Sequence, residues 1–240
     1  MTGYIIYYSR KYEFLRIHPF RCPVDRAAVK AGIHLGLPPM VQSCVNAFGN
    51  LILQNFMNGF GTQTVAAITT AYRVDTVLLL PITNLSSGIS TVAAQNMGAG
   101  QPGRARETLR VGSIIMAVTS LVLTGMVLLV GGPVIALFGV TEQAAAQGAE
   151  FFANIAGFYL IYGLAMSLRG FLEGLGDVLY SSLAGIGALG LRIALSYALA
   201  PWAGWRIIAW AEAVSWTVML VLYWARYLTK GRKLTRDPAA

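Results

Sequence analysis

The stretch AAQNMGAGQPGRARETLR, residues 93–110, is a polar, glycine-rich run inside a very apolar chain. Gly98, Gly100 and Gly103 keep the G-x-G-x-x-G spacing that cradles a pyrophosphate when it follows a strand and opens a helix. The context excludes that chemistry. A long apolar run precedes the glycines, and about 20 residues on, where a ribose-binding acid belongs, the chain reads LVLTG. No lysine follows to make a P-loop, and a turn that ends a helix on glycine and resumes at Pro102 accounts for the local residues. No H-E-x-x-H, no G-x-S-x-G and no paired acids on one span appear, which argues against an enzyme. Cys22 and Cys44 lack metal-ligand spacing, and His18 and His34 are isolated, so neither a metal nor a cofactor is expected.

The remaining chemistry lies in polar residues set among apolar ones. Ser43, Asn46, Asn50, Gln54 and Asn58 recur every three or four residues, which places them on one face of a helix. Such amides either hydrogen-bond neighbouring helices as packing glue or line a water-accessible cavity. Arg73, Thr76, Asn84, Ser87, Thr91 and Gln95 share a second face, provided that Pro81 leaves the helical register intact; Asp75 then points to the opposite side. Arg73 and Asp75 are two apart and cannot pair on a helix, so Asp75 needs another donor or a proton. Arg192 stands ten residues before Trp202 and Glu212 ten after it. A hairpin at APWAGW would bring that arginine and that acid to one depth, as a structural ion pair or as a substrate or proton site.

The elements that must hold these residues are membrane helices. The chain is 56% hydrophobic and only 12% charged, where a soluble domain is about 25% charged. Its apolar runs have the length that crosses a hydrocarbon core, and they do not alternate as barrel strands do. Six spans are expected, at roughly 34–59, 64–96, 111–131, 144–168, 178–200 and 203–228. The second exceeds a perpendicular crossing and must tilt, protrude or kink at Pro81. The fold class is all-α membrane protein, with a cytoplasmic lead over 1–33, a transmembrane lobe over 34–228 and a basic tail over 229–240. In the fifth span Ser181, Ala184, Gly185 and Ala188 form a small-residue packing face.

The net charge of +8 reports topology, not nucleic acid binding. Six basic residues from Arg10 to Lys30, then Arg104, Arg106 and Arg110, then Arg169, then five from Arg226 to Arg236 fall on one side; only Arg206 lies on the other. Both termini are therefore expected in the cytoplasm of a multi-pass protein of the inner (plasma) membrane. Trp202 and Trp205 at one end of the last span, with Tyr223, Trp224 and Tyr227 at the other, mark the two interfaces.

Over residues 30–228 the chain resembles the multidrug and toxin extrusion (MATE) family of efflux transporters. The features that carry the likeness are Gly36–Pro39, NGFGT at 58–62, Pro81, AQNMGAG followed by GRARE, and LRGFLEGLGD at 168–177. The resemblance implies one six-helix lobe, the C-terminal one, of a twelve-helix transporter whose two lobes enclose a cavity of alternating access. MTGYIIYY would then be the tail of a preceding helix, and the opening stretch a cytoplasmic loop, with Gly98 and Gly100 in its turn and Arg104 and Arg106 at the anionic inner surface. Asn46, Asn50, Gln54, Asn58, Arg73, Asn84 and Thr91 would line the cavity, which suits amphipathic, cationic small molecules. Asp75, Arg192 and Glu212 would be the paired or titrating groups. Family members couple export to Na+ or H+ through an acid in the first or fourth helix of this lobe. Here the first span has none and the fourth only Glu150, which points any coupling to an acid in the other lobe. The implied partners are the bilayer, a small-molecule substrate and a second six-helix lobe, from a separate chain or a parallel homodimer. Two alternatives stay open: a non-functional fragment, and a lipid-linked oligosaccharide flippase of the same superfamily.

Overall fold

The computed structural model describes residues 7, 8, 11, 12 and 25–235. Arg10, Arg16, His18, Arg21, Cys22, Arg236 and the opening MTGYII fall outside them. The chain divides into two units, 1–36 and 37–240, and the second holds the packed helices.

The described residues form helices only, joined by short turns: α1 (Arg26–Asn58), α2 (Thr62–Leu78), α3 (Leu80–Gly98), α4 (Pro102–Ala136), α5 (Glu142–Ile155), α6 (Tyr159–Gly174), α7 (Val178–Ala203), α8 (Ile207–Arg226) and α9 (Arg232–Leu234). Four stretches are long and apolar enough to cross a membrane: Thr62–Gly98, Pro102–Ala136, Glu142–Gly174 and Val178–Leu234. The last of these folds back on itself, since a new helix starts after Gly204. Helix α1 is long enough but falls short in apolarity because of its amides. The six expected spans therefore correspond to α1, α2 with α3, α4, α5 with α6, α7 and α8. Two of them are broken, α2–α3 at Leu79 and α5–α6 through a 3₁₀ turn at Ala156–Phe158.

Each turn between these rods carries a glycine at positive φ: Gly61, Gly100, Gly139, Gly176 and Gly204. At Gly100 the reason is visible. Gly100 N–H reaches Met97 O and Gln101 N–H reaches Asn96 O, which closes α3 with a residue in the left-handed region; Pro102 then opens α4. The glycine spacing of the opening stretch is thus a helix-ending turn.

Helices α7 and α8 form an antiparallel hairpin. Tyr180 Oη donates to Leu222 O, Tyr223 Oη to Ser181 O, and Arg192 meets Glu212. All three pairs are centred near residue 202. Helix α6 sits at the heart of the lobe, with Ala165, Met166, Ser167, Leu168, Phe171 and Leu172 buried. Gly170 lets it press on α3: a Cβ there would run into the Ser86 carbonyl, while Ser86 Oγ donates to Met166 O at 2.7 Å.

The expected tail at 229–240 is not separate over its described part. The helical path continues to Leu234, Gly231 and Thr235 are buried, and Arg106 donates to Thr235 O at 2.7 Å. What holds this end is Asp177, in the turn before α7. It accepts Arg226 Nε at 2.6 Å, Arg226 Nη2 at 3.1 Å and Lys230 Nζ at 2.9 Å. Burial pushes the Asp177 carboxyl up, but the hydrogen bonds from Arg226 and Lys230 outweigh it and hold the group below the usual aspartate range. A carboxyl lowered on folding contributes stability that is complete above its unfolded value, about 4, and fades as pH falls through the folded one. Asp177→Asn should therefore cost about 1–3 kcal/mol at neutral pH and remove this acid-sensitive step. Thermal melting of both proteins in detergent across the acid range checks it; parallel melting profiles would overturn it.

Candidate functional site

The α1 amides repeat more strictly than the expected face, because Gln42 begins the series. Gln42, Asn46, Asn50, Gln54 and Asn58 follow at intervals of four. Ser43 is not part of it: its hydroxyl turns back to Pro39 O on its own helix. Four residues overshoot a helical turn by about 40°, so the line winds around α1 and meets different neighbours along its length.

Three hollows result. The first, about 250 Å³, holds Gln42, Asn46 and Asn50 against Tyr162, Arg169 and Trp216. There Arg169 Nη2 donates to Gln42 Oε1 at 3.0 Å while its Nε is paired with Glu173 at 2.7 Å. Gly185 of α7 supplies the space for the Gln42 amide, since a Cβ would overlap it. The second hollow, about 300 Å³, holds Asn50 and Gln54 against Tyr72, Asp75, Arg192 and Glu212. It shares Asn50, Leu79, Arg192 and Glu212 with the first, so the two adjoin. The third, about 560 Å³, is lined by Asn58, Thr62, Thr70 and Arg73.

Arg73 and Asp75 thus serve different hollows, and Asp75 is buried away from the exposed line of Arg73, Thr76, Asn84, Ser87, Thr91 and Gln95. Asp75 is 4% exposed and lines the hollow with Asn50 and Gln54, while Arg73 does not reach it. At two residues apart on one helix they face opposite sides, and α-helical bonds continue through the break, from Leu79 N–H to Asp75 O and from Thr83 N–H to Leu79 O. Asn84 and Thr91 lie beyond the break and line none of the three hollows. They stand exposed on α3 with Ser87 and Gln95, hydrogen-bonding back to Leu80 O and Ser87 O.

Around the second hollow the ionisable groups form two hydrogen-bonded sets. Arg192 Nη2 donates to Glu212 Oε2 at 2.9 Å and to Tyr72 Oη at 2.6 Å, and its guanidinium lies over the Tyr72 ring. Tyr159 Oη donates to Asp75 Oδ1. Tyr159 and Tyr162 in turn pack on Trp216. Together the two sets contain two carboxyls and one guanidinium, and the amides of α1 face them. Sequence reasoning did not find Gln42, Tyr72 or Tyr159, and it counted Arg169 only among the basic residues of one side; only Gln42 had a signal, its place four residues before Asn46.

The other expected groups have structural tasks. Gly98 ends α3, Arg104 Nη1 donates to Gln101 Oε1 at 3.1 Å, and Arg106 holds Thr235. Glu150 pairs with Arg206. Cys44 is a free, exposed thiol. Among the described residues, no cluster of His, Cys, Asp and Glu could hold a metal ion.

Known proteins share this architecture. The fold matches a MOP superfamily transporter from Pyrococcus furiosus with a TM-score of 0.79 at 22% identity, covering 87% of this chain and 46% of that one. An outward-facing multidrug resistance MATE family transporter matches equally well. In sequence the chain is 22% identical over 219 residues to the probable multidrug resistance protein YoeA of Bacillus subtilis, covering 89% of this chain and 47% of the relative. It is 22% identical over 237 residues to the multidrug export protein MepA of Staphylococcus haemolyticus, covering 99% and 52%. A shorter match, 29% over 109 residues, covers 45% of this chain and 24% of the FAD transporter of Shewanella oneidensis. The chain spans about half the length of the relatives it matches best in coverage. The MatE family model matches residues 38–198, from the proline pair of α1 to the last turns of α7. The chain therefore belongs to the MatE family.

Proposed function

We propose that this chain is one lobe of an efflux antiporter that exports amphipathic, cationic small molecules by alternating access. The observation that carries the reading is a contrast within the exposed surface. On α4 that surface is apolar, with Ile114, Val118, Leu121, Val122, Leu128 and Leu129 exposed, as contact with lipid requires. On α3 the exposed line is Asn84, Ser87, Thr91 and Gln95, and on α1 it includes Asn50 and Asn58. Amides at membrane depth need water or a polar partner, so these two faces suit a cavity shared with a second lobe. That lobe comes from another chain or from a second copy, with both ends of this chain on the cytoplasmic side of the inner membrane.

Relatives named for multidrug export support the transport of drug-like molecules. The excess of carboxyl over guanidinium at Asp75, Arg192 and Glu212 supports cationic substrates and gives this half its own place for H+ or Na+ coupling. Arg73 favours a second reading. It is exposed beside the hydroxyls of Thr62 and Thr70, has no hydrogen bond or ion pair among the described residues, and suits an anionic substrate of the kind that the FAD transporter's name suggests. Glycan-lipid flipping would require more cationic groups than this one.

Changing Asn50 and Gln54 to leucine tests the main reading. Both side chains are at least partly accessible, so membrane insertion should persist while efflux of a cationic dye falls about tenfold. Undiminished efflux at equal expression would sink the cavity assignment. Loss of anionic-dye efflux in Arg73→Leu, with the cationic dye unaffected, would favour the Arg73 reading.

A further inference from the structure

A hollow outside the transport cavity has the chemistry of a lipid site. Helices α3 and α4, joined by the Gly100 turn, line a groove of about 500 Å³. Its walls are Leu85, Val92, Val111 and Ile115, and its floor is Ile89, which is 4% exposed. The groove is hollow because two glycines line it. At Gly112 a Cβ would lie 2.7 Å from the Ile89 side chain, so α4 touches the floor there, whereas at Gly88 a Cβ would meet nothing within 4 Å. An apolar channel open to the side of a membrane protein suits an acyl chain.

The mouth of the groove is polar and carries both signs. Arg104 and Glu107 line it three residues apart on α4, and no ion pair joins them among the described residues. Asn96, opposite them on α3, spends its Nδ2 on Val92 O at 2.9 Å and Thr108 Oγ1 at 3.3 Å. Its Oδ1 is left as an acceptor. The mouth therefore offers a guanidinium for a phosphate and, one helical turn away, a carboxylate and an amide oxygen for a group rich in N–H donors. We propose that this groove binds a phosphatidylethanolamine, with the phosphate on Arg104, the primary ammonium on Glu107 and Asn96, and an acyl chain along Gly88.

Charge complementarity selects this lipid over its neighbours. Phosphatidylglycerol carries the same phosphate but ends in a neutral glycerol, with no ammonium to answer Glu107. Phosphatidylcholine carries the positive charge but has no N–H to donate. Lipid binding here is independent of what the transport cavity exports.

Native mass spectrometry of the detergent-purified chain tests the assignment, with palmitoyl-oleoyl phosphatidylethanolamine, phosphatidylcholine and phosphatidylglycerol added at equal concentration. Wild type should retain phosphatidylethanolamine about two- to fivefold more than either competitor, the range of one exposed ion pair. Glu107→Gln should bring phosphatidylethanolamine down to the phosphatidylcholine level. Gly88→Leu, where a Cβ would meet nothing within 4 Å, puts a side chain into the groove and should lower retention of all three, with helical circular dichroism unchanged. Equal retention of the three lipids by wild type would overturn the proposal. So would a preference for phosphatidylglycerol, or a phosphatidylethanolamine preference that survives Glu107→Gln. Glu107 is exposed, so that variant decides even where Gly88→Leu alters folding.

Discussion

Arg192→Leu is expected to lower the stability of the lobe by about 3–5 kcal/mol. Glu212 is 6% exposed and Asp75 4%, so removing the guanidinium leaves carboxyls in a low-dielectric interior without their cation. It also takes the 2.6 Å donor from Tyr72. The cost is that of an uncompensated charge and not the worth of the ion pair, and the two can be separated. Arg192→Leu with Glu212→Leu removes both charges from the α7–α8 hairpin and should restore most of the loss. Unfolding in sodium dodecyl sulfate followed by circular dichroism reads all three variants. If Arg192→Leu alone costs under about 1 kcal/mol, or if the double variant is no better, the pair does not stabilise the hairpin in the way its geometry implies.

That pair was legible in the sequence because its geometry is local. Arg192 and Glu212 flank one turn at equal distances, and antiparallel packing does the rest. The helical rods were legible for a similar reason: a run of apolar residues long enough to span a bilayer has no other stable form there. Pro81 announced a break in the second span, but the effect on facing was not readable. A projection carried through Leu79 as one helix set Asp75 opposite Arg73, as the structure has it, but gave no sign that Asp75, and not Arg73, faces Asn50 and Gln54 of α1. The second break, at Ala156–Phe158, had only Gly157 as a signal. Tyr159 was hidden among apolar residues, where nothing distinguishes a tyrosine that packs from one that donates to Asp75, 84 residues away. Arg169 was hidden by the charge count itself. It fits the inner cluster of basic residues, yet it reaches back across 127 residues to Gln42, a contact set by how α1 lies on α6 and α7.

On the proposed reading that this lobe couples export to a cation, Asp75→Asn should abolish its response to H+ or Na+. Three ionisable side chains meet around the second hollow, and Arg192 is committed to Glu212 and Tyr72. Asp75 is left with one neutral donor, Tyr159, so a charged Asp75 requires a cation beside it and a neutral one requires a proton. On the proposed coupling, this carboxyl would exchange a positive charge with the cavity when access changes. Asparagine keeps an oxygen for the Tyr159 hydroxyl and removes the exchangeable charge, so helix packing should survive. In wild type, sodium at about a hundred times its Kd would raise stability by about 2.7 kcal/mol; a proton carrier would instead make the melting temperature depend on pH. Melting of wild type and Asp75→Asn with sodium exchanged for choline, and across pH, distinguishes the two ions. The variant should lose whichever response wild type shows. A response that persists in Asp75→Asn moves the coupling acid elsewhere, and a wild-type lobe indifferent to both ions removes coupling from this half altogether.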